Sequence, residues 1–308
     1  MHLRRPDPSE LPAIGIALAA QQADPAYHIG GVDCTPEAIA EQLIHFEPGG
    51  LDGVIAAYDG DALVGLLAAE WDDDPPRVWW EGPFVLGDRD WDTVADALYE
   101  RACALLPPSV VEQEFASDDR HRFLDAFARR HGFVAEEASA VLTCALERLA
   151  ASDEAATSTV ERPPGEVPAV PLTAVPLTDR DRDAVAALHD QLFAGTHVPG
   201  ARLDAGRDRF VLVAHAQPTA VVGYVAAERQ EDGDGYLDFL GVDPGWRRRG
   251  AGALLVRAAC DRLRDDFDCR RVHLTVRESN TGARRLYSSL GFAQERILRP
   301  FRRGFSLA

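Results

Sequence analysis

The chain has 308 residues, 46% of them hydrophobic, which is enough for two ordinary domains with separate cores. Its formal net charge is −18. All of this acidity lies in residues 1–150, which carry 10 arginines against 28 acidic residues, whereas residues 151–308 carry 22 of each. Contact with phosphates requires a net basic face, so the composition argues against a nucleic-acid-binding protein.

Cysteines, histidines and apolar runs predict the compartment. The five cysteines form no Cys-x-x-Cys pair, which favours free thiols in a reducing cytosol. The nine histidines lack the spacing of metal ligands, so no metal is expected. No signal-peptide pattern opens the chain, and no apolar run approaches the roughly 18 residues of a membrane span. We therefore expect a cytoplasmic protein without a membrane partner.

Two blocks of the sequence occur twice. The segment "LVGLLAAE" (63–70) resembles "VVGYVAAE" (221–228) at an offset of 158 positions. The segment "HRFLDAFARRHGF" (121–133) resembles "NTGARRLYSSLGF" (280–292) at an offset of 159 positions. Two blocks at almost the same offset predict tandem domains of one fold.

A polar segment separates the two copies. Residues 151–171 are rich in Ala, Ser, Thr, Pro and Glu and show no apolar period, which predicts a linker. The expected domains are therefore residues 1–150 and residues 172–308.

Helices and strands alternate in the second copy. In chain order the pattern predicts a helix at 179–193, a hairpin of strands at 210–214 and 220–228, a strand at 235–242, a helix at 250–266, a strand at 271–276, a helix at 280–290 and a last strand at 292–299. This order predicts an α/β fold with a mixed central sheet flanked by helices. The first copy follows the same order less cleanly.

The segment "YLDFLGVDPGWRRRGAGALLVRAA" (236–259) passes from a strand through a turn into a helix. Three arginines are followed by Gly250, Ala251 and Gly252 at the start of that helix. A helix N-terminus presents free N–H groups and a partial positive charge, and glycines let a bulky anion approach the backbone. The turn therefore favours a cradle for a diphosphate, with a solvated basic helix start as the alternative.

The order strand, R-x-x-G-x-G, helix, strand, N-x-x-A-x-x-L-Y-x-x-x-G-F resembles the acyl-CoA site of the GNAT N-acetyltransferase superfamily over approximately residues 175–305. The matching residues are Val242, Arg247, Gly250, Gly252, Asn280, Ala283, Leu286, Tyr287, Gly291 and Phe292. The resemblance implies two tandem GNAT folds and acetyl-CoA as the co-substrate.

The resemblance also implies a set of residues that bind acetyl-CoA. They are Leu240, Gly241, Val242, Arg247, Arg248, Arg249, Gly250, Ala251, Gly252, Asn280 and Tyr287. In this family the strand before the turn splays from its neighbour, and its free amides, here those of Leu240 and Val242, bind the pantetheine and the acyl carbonyl. The turn binds the pyrophosphate, and Asn280 contacts the cofactor arm.

The catalytic groups that the resemblance implies are an acid and a base. Tyr287 matches the family's general acid, which returns a proton to the CoA thiolate, and a phenol with a pKa of about 10 is protonated at neutral pH. Packing in the core is the alternative role for this ring. Asp238 is the first candidate for the base that deprotonates the amine and Glu228 the second, with surface strand charges as the alternative.

The first copy lacks these groups. Its segment aligned with the turn, residues 85–100, has no R-x-x-G-x-G and instead contains Asp88, Asp90 and Asp92, which would repel a diphosphate. At the offset of 159, Ala128 stands in place of Tyr287 and His121 in place of Asn280. We expect a degenerate GNAT fold that serves as a scaffold and as one wall of the acceptor pocket.

The leading functional prediction is transfer of an acetyl group from acetyl-CoA to a primary amine of a small molecule. The acidic first copy would attract a cationic amine, and the loop at 194–207, with His197, is expected to contact it. A mycothiol-synthase-like acetyltransferase is one alternative, although the lost turn of the first copy departs from that pattern. A non-catalytic acyl-CoA sensor is another. The expected assembly is a monomer or a homodimer.

Overall fold

A computed structural model of the chain describes residues 1–46, 49–73, 76–147, 172–194, 196, 198–204, 206–216, 220–230 and 232–304. These residues form two compact units, one of residues 1–139 and 296–304 and the other of residues 140–295. The predicted linker, 151–171, lies outside the described residues.

Strands and helices alternate along the chain. The strands are β1 (His2–Arg4), β2 (Val54–Asp59), β3 (Ala62–Asp73), β4 (Pro76–Val85), β5 (Glu112–Asp118), β6 (Val134–Ala135), β7 (Ser139–Ala145), β8 (Leu172–Pro176), β9 (Arg209–Ala216), β10 (Val221–Arg229), β11 (Gly235–Val242), β12 (Arg271–Arg277) and β13 (Ala293–Gly304). The helices are α1 (Leu11–Gln22), α2 (Pro36–His45), α3 (Trp91–Cys103), α4 (Leu124–Arg130), α5 (Arg182–Leu192), α6 (Ala251–Asp265) and α7 (Thr281–Ser289). Each element predicted for the second copy is found, and its ends differ by a few residues.

The first unit is built on a mixed sheet with the strand order β1-β2-β3-β4-β5-β13. Strands β4 and β5 are parallel, and the other neighbours are antiparallel. The pairing of β13 with β5 runs from Leu298 opposite Asp118 to Gly304 opposite Glu112. Trp80, Phe115 and Phe127 are buried in the core of this unit.

The second unit has the strand order β7-β12-β11-β10-β9-β8. Strands β11 and β12 are parallel, and β8 to β11 are joined by antiparallel pairing, with β9 and β10 forming the predicted hairpin. Apolar residues of α6 and α7 pack on one face of this sheet, and those of α5 pack on the other. The α/β class and the mixed sheets are confirmed.

The boundaries of the units differ from the predicted domains 1–150 and 172–308 at two strands. Most of β7 belongs to the second unit, although it precedes residue 150, and β13 joins the first unit from Arg296 onward. The physical reason is that both strands complete a sheet built from the other part of the chain.

Candidate active site

Asp238 lies at a break in the register between β10 and β11. On β10, Ala226 pairs with Phe239 and the next residue, Ala227, pairs with Leu237, so Asp238 has no partner across the ladder. A bulge of this kind adds a residue to one strand and redirects its side chain. The carboxylate of Asp238 is thereby freed from the ordinary alternation of the strand.

Arg209 joins the two candidate bases. Its Nη2 donates a hydrogen bond to Oδ2 of Asp238, and its Nε lies 3.7 Å from Oε2 of Glu228. Arg209 is directly opposite Glu228 in the β9–β10 register. This arginine was not predicted from the sequence, because it enters the site only through the pairing of β9 with β10.

The environment of Asp238 adjusts its acidity. Only 11% of its side chain is exposed. Burial raises the pKa of Asp238 to about 6, against the opposing effect of Arg209. A carboxyl with a pKa close to the working pH is suited to accept a proton during catalysis.

Strands β11 and β12 are paired only near their beginnings. The parallel pairs are Gly235–Val272 and Tyr236–His273, and the ladder does not continue beyond them. The rest of β11 therefore separates from β12, as the family resemblance implied.

The backbone of β11 presents two N–H groups to this gap. The N–H of Asp243 donates to the carbonyl of Val222 on the β10 side, at 3.0 Å. Since the backbone groups of successive strand residues point to opposite edges, the N–H groups of Leu240 and Val242 point toward the β12 side. The two predicted amides therefore lie where a ligand between the separated strands would meet them.

Gly241, the third residue predicted to bind the cofactor on this strand, packs closely within the sheet. By the same alternation its N–H points toward β10, where it is opposite Tyr224. A Cβ added to Gly241 would overlap the ring of Tyr224. The structure therefore explains this glycine by close packing within the sheet.

The turn after β11 contains two residues with left-handed backbone. Arg248 has φ of +63° and Gly250 has φ of +91°. Helix α6 begins directly after Gly250 without a side-chain cap, and the N–H of Leu254 makes the bond to the Gly250 carbonyl at 3.0 Å. The preceding N–H groups of the first helical turn lack intrahelical acceptors. They are available to an anion, as the predicted cradle requires.

Arginine charge surrounds this helix start. Arg247, Arg248 and Arg249 are exposed. Nε of Arg247 donates to the carbonyl of Val242 at 3.3 Å, and the guanidinium of Arg249 lies 5.1 Å from the centre of the Trp246 ring. These contacts hold two of the three side chains beside the turn.

Gly252 provides the close approach that a cradle needs. A Cβ at this position would lie 3.0 Å from Cδ2 of Leu286, which is tighter than ordinary van der Waals contact. Glycine keeps the first turn of α6 clear of the Leu286 side chain on α7. The uncapped amides, the left-handed Gly250 and the bare Gly252 together fit the diphosphate of a CoA thioester.

The matching helix in the first unit is already capped. Oδ1 of Asp90 accepts a hydrogen bond from the N–H of Thr93 at 3.2 Å, which closes the N-terminus of α3 with a carboxylate. In α6 the equivalent position is Gly250, which is exposed and has no side chain to cap the helix. The predicted loss of a cofactor turn in the first copy thus has a structural counterpart.

Asn280 caps α7. Its Oδ1 accepts from the N–H of Ala283 at 3.1 Å, and Asn280 is exposed. In the first unit, Nδ1 of His121 accepts from the N–H of Leu124 at 3.1 Å in the same way. The side-chain oxygen of Asn280 thus caps its own helix. The side-chain NH₂ group remains for the predicted contact with the cofactor arm.

Tyr287 lies on the inner face of α7 and is 7% exposed. Its ring centre is 5.6 Å from that of Phe292. Burial raises the pKa of Tyr287 well above its usual value, so the phenol keeps its proton at neutral pH. This placement is consistent with a general acid. It is equally consistent with the alternative role, which is packing of the ring in the core.

Tyr236 is a second residue that the sequence analysis missed. It hydrogen-bonds Thr275, and burial raises its pKa to about 12. The charges of Asp238 and Glu228 act on Tyr236, and Tyr236 in turn acts on Tyr287. Tyr236 is therefore close enough to influence, or be influenced by, both the acidic pair and the candidate acid.

Three other sequence predictions concern His197, metal ligands and membrane-spanning helices. His197 lies outside the described residues. Within the described part of the chain, no group of three or more His, Cys, Asp or Glu side chains is arranged to hold a metal ion. None of the described helices combines the length and apolar character that a membrane crossing requires.

Comparison with known sequences identifies a family domain in the second half. Residues 181–292 match the acetyltransferase (GNAT) family. An N-alpha-acetyltransferase from Sulfurisphaera tokodaii is 33% identical over 67 residues, which are 22% of this chain and 40% of that protein. The chain thus spans less than half the length of this curated relative.

Solved structures match along the whole chain. A GCN5-related N-acetyltransferase from Sphaerobacter thermophilus has a TM-score of 0.71 at 18% identity, over 98% of this chain and 95% of that one. A tandem GNAT protein from the clavulanic acid biosynthesis pathway has a TM-score of 0.67 at 17% identity, over 98% of each chain. At these identities the likeness establishes the fold, which is that of a tandem GNAT protein. Residues 181–292 are therefore a region similar to the acetyltransferase (GNAT) family, within a chain whose fold is that of tandem GNAT proteins.

Proposed function

We propose that the second unit transfers an acetyl group from acetyl-CoA to a primary amine of a small molecule. The observation that carries this proposal is the buried Asp238, which is placed by a bulge on the same strand that leads into the uncapped glycine turn. A proton acceptor and a diphosphate cradle are thereby built on one short segment of chain.

Binding is assigned to backbone groups. The first-turn N–H groups of α6 would hold the diphosphate, with charge from Arg247 to Arg249 as support. The N–H groups of Leu240 and Val242 would bind the arm and polarise the acyl carbonyl, which stabilises negative charge as the amine attacks. Bound acetyl-CoA supplies the activated acetyl thioester.

Proton transfer is assigned to two side chains. Asp238, with Glu228 as the second candidate, accepts a proton from the attacking ammonium directly or through water. The O–H of Tyr287 donates a proton to the departing thiolate. The raised pKa of Tyr287 keeps it protonated at neutral pH, and Asp238, although its pKa is raised to about 6, is still mostly ionised there and is a stronger base than an ordinary carboxylate.

The acceptor is proposed as a cationic small molecule because the net charge of the chain is −18. The relative from Sulfurisphaera tokodaii is named an N-alpha-acetyltransferase. The amino terminus of a peptide is therefore a second candidate acceptor. A panel of small amines and short peptides, assayed by release of free CoA thiol, tests both classes. Acetyl-CoA binding without turnover of any amine would favour the sensor alternative.

The pH dependence of turnover tests the base. The carboxylate form of Asp238 is lost as the pH falls through about 6, so kcat should decline on the acid side of that value. Asp238→Asn should remove this decline along with most of the activity, whereas Glu228→Gln should preserve it. A decline that persists in Asp238→Asn would assign the titration to another group.

Arg209 should set the position of that decline. Its removal in Arg209→Gln takes away the charge that opposes the effect of burial, so the pKa of Asp238 should rise. We expect the acid limb to move to higher pH by about one unit or more, with Arg209→Lys closer to the parent. If kcat of Arg209→Gln declines at the same pH as in the parent, Arg209 does not influence the group that titrates.

The number of cofactor sites tests the assignment to one unit. Calorimetry should give one acetyl-CoA bound per chain. Changing Asp88 in the first unit, for example Asp88→Ala, should leave this number at one, because Asp90 still caps α3. Two molecules bound per chain would contradict the loss of the first site.

A further inference from the structure

Glu81 in the first unit occupies the place of Asp238 in the second. The ladder pairs Gly65 with Val85 in the first unit and Gly223 with Val242 in the second. Glu81 and Asp238 each lie four residues before that valine. Both also lie at a break in the antiparallel register. The two units therefore have a carboxyl group at the same distance along this strand from the paired valine, with Glu81 opposite Ala68 and Asp238 unpaired.

The carboxyl of Glu81 is buried and incompletely bonded. The residue is 7% exposed, and its Oε2 has no hydrogen-bond partner among the described residues. Gly31, with φ of +87°, lies directly over it. A Cβ on Gly31 would be 2.6 Å from Oε1 and 2.7 Å from Oε2. Gly31 itself is exposed, so the carboxyl group is close to the surface at this point.

The groups around Glu81 are acidic. Burial raises the pKa of Glu81 well above its usual value, and the charges of its neighbours Glu70, Glu114 and Asp33 raise it further. The nearby arginines are bound elsewhere: Arg77 pairs with Glu112 at 2.6 Å and with Glu114 at 3.3 Å, and Arg302 pairs with Glu114 at 2.8 Å. No ion pair joins Glu81 to any arginine or histidine that the structure describes.

The second unit has an arginine beside its acidic pair, and the first unit has none at the equivalent position. In the second unit, Arg209 lies two residues before Val211, which pairs with Ala226. The equivalent of Val211 is Val54, which pairs with Ala68, and the residue two positions before it is Asp52.

Asp52 does not replace the missing cation. Its side chain is 69% exposed and pairs with Arg5 at 2.6 Å. The first unit has therefore kept the acidic pair that corresponds to Glu228 and Asp238, namely Glu70 and Glu81, but has an acidic residue where the arginine would be.

We infer that the first unit binds the cationic group of a primary alkylammonium ligand at Glu81. A buried carboxylate without a partner is strongly unfavourable, and a cation with several N–H donors supplies both the missing charge and the missing hydrogen bond. The ligand cation would take the place that Arg209 has in the second unit, with release of the carboxyl proton. This site is separate from the proposed acetyl transfer and does not depend on it.

Thermal unfolding of the full chain in ethylammonium chloride tests the inference. Sodium chloride at matched ionic strength corrects for screening. Because a ligand that binds only the folded state raises the unfolding temperature, we expect a saturable rise at mildly alkaline pH. Tetramethylammonium, which carries no N–H donor, should not produce it.

Two variants locate the binding. Glu81→Gln keeps the shape and removes the charge, so the apparent affinity for ethylammonium should fall about tenfold or more. Asp238→Asn, which alters the proposed acceptor site of the second unit, should retain the parent affinity. If Glu81→Gln does not fold, Glu70→Gln gives the second measurement, since loss of this neighbouring charge should also weaken binding.

Three results would overturn the inference. One is a parent chain without a saturable response, which would mean that Glu81 is simply held in its protonated form. Another is equal affinity in the parent and in Glu81→Gln, or in Glu70→Gln where that variant is used. The third is loss of the response in Asp238→Asn alone, which would place the amine in the second unit and leave the proposed function intact.

Discussion

Gly250→Asp is expected to abolish acetyl-CoA binding. The new carboxylate would stand at the N-terminus of α6, where the free amides and the arginines are arranged for an anion. In the first unit a carboxylate already stands at the matching helix start, because Asp90 caps α3, although from an extended backbone and not from the left-handed one of Gly250. The variant therefore places a negative charge where the diphosphate would bind. Calorimetric titration with acetyl-CoA measures the loss.

A matched substitution separates charge from backbone strain. Gly250 has φ of +91°, which is unfavourable for any side chain but is tolerated best by Asn and Asp. Gly250→Asn has nearly the same shape and strain as Gly250→Asp without the charge. We expect it to bind acetyl-CoA more tightly than Gly250→Asp. Equal binding by both would assign the loss to conformation.

Gly252→Asp should have the same effect by a second route. Its Cβ would approach Leu286 to 3.0 Å and would bring a carboxylate into the first turn of the helix. If either aspartate variant keeps an affinity for acetyl-CoA within about threefold of the parent, the cradle is assigned to the wrong residues, since a charge-assisted contact contributes more than this.

Local patterns were sufficient to predict the elements of the second half. The apolar period of α6 and the alternation of β11 are properties of consecutive residues, so the sequence contains them directly. The turn residues Gly250 and Gly252 were found because the glycine spacing is itself the signal. The left-handed φ of Gly250 gives that spacing its physical reason.

Pairing between distant segments was not predicted. Arg209 and Tyr236 enter the site through the register of β9, β10 and β11 and through a single bulge at Asp238. A bulge shifts a strand by one residue, and apolar alternation alone does not locate it. Gly241 is a further example, because the packing of the Tyr224 ring against it depends on the β10–β11 pairing and is not visible in the motif.

The exchange of edge strands escaped prediction for a related reason. Strands β7 and β13 have ordinary strand patterns, and the residues within each strand do not determine which sheet it joins. A domain boundary drawn at a change of composition therefore differs from the compact units at both strands. Only the pairing of residues separated by more than a hundred positions, such as Phe301 with Phe115, determines their place.

Tyr287→Phe is expected to reduce turnover while leaving binding intact. The substitution removes the hydroxyl and keeps the ring, which is 7% exposed and packs against Phe292, so the fold should be preserved. If the hydroxyl protonates the departing thiolate, kcat should fall by roughly 10²–10⁴, the usual contribution of a positioned acid. The loss should appear in kcat more than in KM, because the proton is needed only in the transition state.

Tyr236→Phe provides the control for this change. Tyr236 is a half-buried phenol on the same strand as Asp238, and the resemblance assigns it no proton transfer. Its variant removes a hydroxyl from the same region, so a general disturbance of the site should affect both variants alike. A loss of kcat confined to Tyr287→Phe identifies the acid. An unchanged kcat in Tyr287→Phe with the true acceptor would make Tyr287 a packing residue, because the thiolate would then receive its proton from another group or from solvent.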